Sequence, residues 1–139
     1  MADTFNADKF GSFLTIPFSK TNLTTGASNE DLLLGSGSTL FVAPAAGSVV
    51  ALSSRSAAAI TAGTITIKTH AAGTEHTQAA APTNALSSAA QVHYDTAAPG
   101  LVSFAAGDTL GISVTTTTTL DPTNTLDVDG FLFVQFNPF

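Results

Sequence analysis

Apolar and polar positions alternate with period two along most of the chain. Leu14, Ile16 and Phe18 alternate with Phe13, Thr15 and Pro17. Ile65 and Ile67 alternate with Thr64, Thr66 and Lys68, and Leu110, Ile112 and Val114 with Gly111, Ser113 and Thr115. Val92 and Tyr94 alternate with Gln91, His93 and Asp95, and Thr39–Ala43 and Ser48–Ser54 are two shorter runs. On a strand, side chains two apart share a face, so each run predicts a strand with one buried and one wet side. The β-branched run Thr115–Thr119 is expected to prolong its strand until Asp121-Pro122 stops it. Phe131-Leu-Phe-Val-Gln-Phe136 differs in being apolar on both faces. Such a strand lies in the centre of a sandwich or has its second face covered by a partner.

Glycine-bearing turns separate these runs: Pro44–Gly47, Ala71–Gly73, Ala98–Gly100 and Ala105–Asp108. Val42–Gly47 and Val102–Gly107 share the pattern V-x-[PF]-A-A-G, read as one turn used twice rather than a true repeat. Across Ala79–Ala90, Asn84 could cap a short helix over 85–91. A Ser/Ala-rich loop is the preferred reading there. About eight strands at short spacing, with no long helix, predict an all-β fold: an antiparallel sandwich, jelly-roll-like. The expected organisation is an N-terminal arm over residues 1–12 and a single sandwich domain over 13–139.

Composition narrows the functions. The chain has 139 residues, of which 10% are charged, against roughly 25% in an ordinary domain. Hydrophobic residues make up 44%, which argues against disorder. Four basic residues (Lys9, Lys20, Arg55 and Lys68) face ten acidic ones, for a net charge of -6. Four scattered cations cannot form the basic patch that nucleic acid or an anionic membrane surface requires. There is no cysteine, hence no thiolate ligand and no Cys nucleophile. The start of the chain lacks the apolar core of a signal peptide, and no run approaches ~18 apolar residues. Asn22-Leu23-Thr24 matches a glycosylation acceptor and is read as chance.

The aromatics cluster at the two ends: Phe5, Phe10, Phe13 and Phe18, then Phe131, Phe133, Phe136 and Phe139, with only Phe41 and Phe104 between. If the first and last strands share a sheet, one sheet is loaded with Phe and the other with Thr, Ser and Ala. A cyclic homo-oligomer with that sheet at its axis accounts for a surface so poor in charge. The expected assembly residues are Phe131, Phe133 and Phe136, packed in the core or at the axis. Phe5 and Phe10 are expected to dock the arm on a neighbour.

Several of these segments resemble small virion proteins of tailed bacteriophages. Phe41-Val-Ala-Pro-Ala-Ala-Gly-Ser-Val-Val-Ala-Leu52 is similar to a turn and strand near the start of their β-sandwich. Gly63-Thr-Ile-Thr-Ile-Lys68 resembles their central strand, and Val102–Val114 their aromatic-x-Ala-Gly-Asp-x-Leu/Ile turn and strand. Phe131–Phe136 resembles their closing strand. The similarity spans roughly residues 40–136. It implies a structural protein: a capsid decoration (cement) protein, homotrimeric, on the outer capsid surface, whose partner is the major capsid protein. Head-fibre or tail-appendage modules and trimeric domains of the tumour-necrosis-factor-like type share this look. A carbohydrate- or receptor-binding module is the remaining alternative, weakened by the absence of Trp and a single tyrosine, Tyr94.

Candidate chemistry is sparse. Asp127 and Asp129 share a strand face and, with Asp121 or Asp108, could hold Ca²⁺. A solvated strand start is the preferred reading, so no metal is expected. His70 and His76 flank Ala71–Glu75, and Glu75 or His93 could complete a zinc set, but the spacing matches no zinc motif. Three surface histidines are expected instead. His93-Tyr94-Asp95 places a base and an acid next to each other, on opposite faces of a strand. No serine lies in G-x-S-x-G, and Gly35-Ser-Gly37 lacks the lysine of a phosphate loop. The expectation is a protein that is not an enzyme and takes no cofactor.

Overall fold

A computed structural model of the chain describes residues 12–35, 37–71 and 81–137. Strands, and no helix, run through them: β1 (Phe13–Lys20), β2 (Glu30–Asp31), β3 (Leu33–Leu34), β4 (Phe41–Val42), β5 (Gly47–Ser56), β6 (Ile65–His70), β7 (Thr83–Leu86), β8 (Val92–Thr96), β9 (Ser103–Phe104), β10 (Thr109–Thr116) and β11 (Val128–Phe136). One sheet has the order β3-β1-β11-β5-β8, with β9 also paired to β5. The other has β2-β10-β6-β7, with β4 also paired to β10. Four antiparallel pairs nest inside one another along the chain, β6 with β7, β5 with β8, β2 with β10 and β1 with β11, and they alternate between the sheets. A long hairpin wound over itself gives this order, which is that of a jelly roll.

The inner faces are those of the period-two pattern. Ile16 and Phe18 on β1, Leu52 on β5, and Val128, Leu132 and Val134 on β11 meet Ile65, Ile67, Leu86, Leu110, Ile112 and Val114 from the facing sheet. Leu23, Ile60, Leu120 and Leu126, all buried in loops, complete the core. The alternation slips once. Val49 pairs with Val134 and Ala51 with Phe133, so Val50 is the extra residue of a bulge. Gly130 is fixed by packing: a Cβ there would overlap the Ser53 carbonyl and lie 2.7 Å from Phe18 Cζ.

The two V-x-[PF]-A-A-G segments are neighbours in space. Ala43 donates its N–H to the Asp108 carbonyl (2.8 Å), and Gly107 donates to the Ala43 carbonyl (2.7 Å). Each carries the chain from one sheet to the other: β4 pairs with β10 and leads into β5, while β9 pairs with β5 and leads into β10. The two glycines act differently. Gly107 takes a φ of +89° with open space around it, whereas Gly47 lets the β11 backbone approach.

Three expectations are corrected. The stretch Ala79–Ala90 is not simply a loop, since Thr83–Leu86 forms β7. One of its two inward positions is filled by a polar residue, Asn84, which is fully buried and hydrogen-bonded across to the other sheet; the other is Leu86. The Thr115–Thr119 strand stops at Thr116, because Leu120 turns back to donate to the Thr117 carbonyl and bury its side chain. His70 is buried, not a surface group. It pairs with Gly111, whose missing side chain leaves the space that the imidazole fills.

Candidate subunit interface

β11 lies between β1 and β5, so its inward residues feed the core and its outward ones sit mid-sheet. The registers align the outer face into rows. Pro17, Phe131, Ser53 and Tyr94 form one row across β1, β11, β5 and β8. Thr15, Phe133, Ala51 and Thr96 form the next, and Ser19, Asp129, Arg55 and Val92 the one on the other side. The aromatic content is high and wet. Phe131 is 46% exposed, Phe13 69%, and Tyr94 and Val92 75% each. The Phe131 and Phe133 rings pack against each other at 6.4 Å between centroids, tilted by 50°.

The bulk on this face is uneven. β11 carries the two phenyl rings, whereas the β5 positions beside them are Ser53 and Ala51. Beyond that low strip, β8 rises again at Tyr94 and Val92. The result is a groove of about 490 Å³ between Phe131 and Tyr94, with Ser53 and Gly130 among its lining and Arg55 and Asp129 beside them.

Charge on the face is balanced. Among the residues of these rows only Arg55 and Asp129 are charged, and Arg55 Nε donates to Asp129 Oδ1 at 2.9 Å. That hydrogen bond, reinforced by the carboxylate's charge, raises the guanidinium pKa further above its ordinary value.

The expected assembly residues divide. Phe131 and Phe133 are both on the outer face. Phe136 has the opposite phase, turns inward and meets Phe104 edge-on at 6.1 Å. Phe5, Phe10 and the arm up to residue 11 lie outside the described residues. Phe13, Val92 and Tyr94 join the face without having been singled out for it. Phase alone could have found Phe13, which alternates with the inward Leu14 and Ile16. No such signal existed for β8, where the larger apolar side chains point outward and His93 and Asp95 turn toward β7.

The other candidate groups are engaged in holding the fold. Asp127 Oδ1 accepts from the Asn22 N–H (2.9 Å), Asp121 Oδ2 from Thr61 Oγ1 (2.6 Å), and Asp108 Oδ2 from the Ala105 N–H (2.8 Å). With Asp129 on Arg55, the four carboxylates point to four different partners. Among the described residues no three His, Asp or Glu side chains gather as a metal site. His93 Nδ1 is 2.9 Å from Asn84 Oδ1, Asp95 Oδ2 accepts from the Thr83 N–H, and His76 and Glu75 lie outside the described residues. Gly35 and Gly37 donate their N–H groups to the Pro17 and Leu34 carbonyls, in a turn rather than a phosphate cradle.

No protein-family model matches the chain, and no curated protein matches it in sequence.

Proposed function

We propose that this chain is a structural protein of a phage particle, a capsid decoration protein that assembles with two further copies of itself and binds the outer capsid surface. The observation that carries the self-assembly is the outer face of the β1-β11-β5-β8 sheet. Copies of a chain with net charge -6 repel one another. The face that presents Phe13, Phe131, Phe133, Tyr94 and Val92 is the one whose two charges cancel. Aromatic surface at the centre and charge kept out of it is the composition of a subunit interface.

The phage role rests on the resemblance of residues 41–52, 63–68, 102–114 and 131–136 to virion proteins. In the fold these are β4 to β5, β6, β9 to β10 and β11, strands that include the centres of both sheets. A cement protein acts by binding the assembled shell and not its free subunits, which needs a rigid body and apolar contacts but no reacting group. Two measurements test the reading. Light scattering of the purified chain should give about 42 kDa, three times 14.0 kDa. The chain should co-sediment with heads assembled from the major capsid protein and raise their melting temperature. A mass of about 14 kDa in solution, with no retention on heads, would overturn it.

A further inference from the structure

The outer face of the β1-β11-β5-β8 sheet has a left half and a right half that differ in relief. Phe131 and Phe133 make a ridge on β11. Ser53, at the height of Phe131 on β5, makes a floor that Tyr94 walls on the far side, and the groove continues past Arg55, Asp129 and Val92. We propose that the groove between Phe131 and Tyr94 of one copy receives the Phe131–Phe133 ridge of the next, so that self-assembly is a head-to-tail contact between unlike halves of one face.

The inference rests on the self-assembly read above and specifies how it is made. Three observations favour a second copy as the occupant. The ridge and the groove share the row Pro17-Phe131-Ser53-Tyr94, so copies arranged around an axis along the strands meet there at matching heights. The ridge lies beside the groove and forms one of its walls, so it cannot fill the groove of its own chain. The charges flanking the groove already neutralise each other, so an uncharged apolar occupant buries no unpaired ion. A contact between unlike patches closes into a ring when its rotation divides the circle, and a third of a turn gives the trimer. A face-to-face contact between like patches gives a dimer instead.

The chain's lack of cysteine makes a clean test available. Thr15→Cys on β1 and Thr96→Cys on β8 occupy the two sides of one row. They are three strand spacings apart within a copy, about 14 Å. That is too far for a disulfide, whose Cα atoms lie within about 7 Å of each other. Oxidation of the double variant should therefore give a covalent product of about 42 kDa, and neither single variant should cross-link. In parallel, Ser53→Phe fills the groove floor from outside the core. It should reduce the mass in solution about threefold while leaving the melting curve of the monomer intact, and Ser53→Ala should keep the parental mass.

A covalent product of about 28 kDa would show a face-to-face pair and overturn the inference. So would a trimer that forms but neither cross-links nor responds to Ser53→Phe; the self-assembly reading would survive that result. A parental chain of about 14 kDa would overturn both. A melting shift of that monomer with a panel of monosaccharides, abolished by Tyr94→Ala, would then give the groove to a sugar.

Discussion

On the inner side of the sandwich, β11 and β10 present similar rows, Leu132 and Val134 from one and Ile112 and Val114 from the other. On the outer side they part. β11 shows Phe131 and Phe133, flanked by Phe13 on β1 and Tyr94 on β8. β10 shows Thr109 and Thr115, flanked by Thr66 and Lys68 on β6 and by Val42 on β4, while Ser113 on the same side is buried. Hydroxyls and an ammonium lose nothing by facing water. Exposed aromatic surface forgoes roughly 25 cal/mol for each Å² that could be buried. The core demands the same of both sheets, so the difference between the outer faces is not set by packing inside the sandwich.

The largest effect separates the two sides of a single strand. Leu132 is fully buried, and its neighbour Phe131 points out. Leu132→Ala should destabilise the monomer by about 2–5 kcal/mol, through lost transfer energy and a residual cavity. Phe131→Ser with Phe133→Ser should instead leave monomer stability nearly unchanged and abolish self-association. Denaturant unfolding beside light scattering reads both. If the double serine variant unfolds as easily as Leu132→Ala, the rings belong to the fold and the contrast between faces fails.

A smaller effect concerns the join between the sheets. Asn84 Nδ2 donates to Ser54 Oγ (2.6 Å) and the Leu52 carbonyl (3.2 Å) on β5, and Asn84 Oδ1 meets His93 Nδ1 on β8. Asn84→Ala leaves buried polar groups without this partner, and about 1–3 kcal/mol of stability should be lost. Asn84→Leu should not recover it, because an apolar residue of similar size satisfies none of them. Urea unfolding of the two variants checks this, and full recovery by leucine would show that Asn84 acts only by filling space.

How much of this was legible in the sequence follows from the same chemistry. The alternating runs declared β1, β6 and β10, because a strand with one buried face must alternate, and a run apolar on both faces declared β11. The sequence posed the sharing of a sheet by the Phe-rich ends only as a condition, and β1 does lie against β11 over eight residues. Of the strands of two residues, β4 falls inside the Thr39–Ala43 run, whereas β2, β3 and β9 carry too little pattern to be seen. β7 was hidden because Asn84 occupies a core position that the pattern reserves for apolar side chains. β8 was seen, but its faces were not, since at a sheet edge the aromatic can be the outward residue. Burial of His70 depends on a glycine 41 positions away, Gly111, a pairing set by strand register alone. The exposed aromatic face was legible at Phe131 and Phe133, whose strand was apolar on both sides. It was not legible at Tyr94, which reaches the same face only through the order β11-β5-β8.

The smallest effect on stability gives the sharpest comparison. Thr15 on β1 and Thr66 on β6 are both outward residues mid-strand, one on each sheet. Thr→Lys at either position adds a charge to the outer face without touching the core, so each should change monomer stability by no more than about 0.5 kcal/mol. Their effects on assembly should differ completely. A lysine at position 15 lies beside Phe133 and upsets the charge balance that Arg55 and Asp129 maintain. It should convert the protein to monomers at low salt, with partial recovery as salt screens the repulsion. A lysine at position 66 joins Lys68 on a face already polar and should leave the mass unchanged. If both variants stay assembled, the aromatic face is not where the copies meet. If both dissociate, the two outer faces are not functionally distinct, and the difference in their composition has another origin.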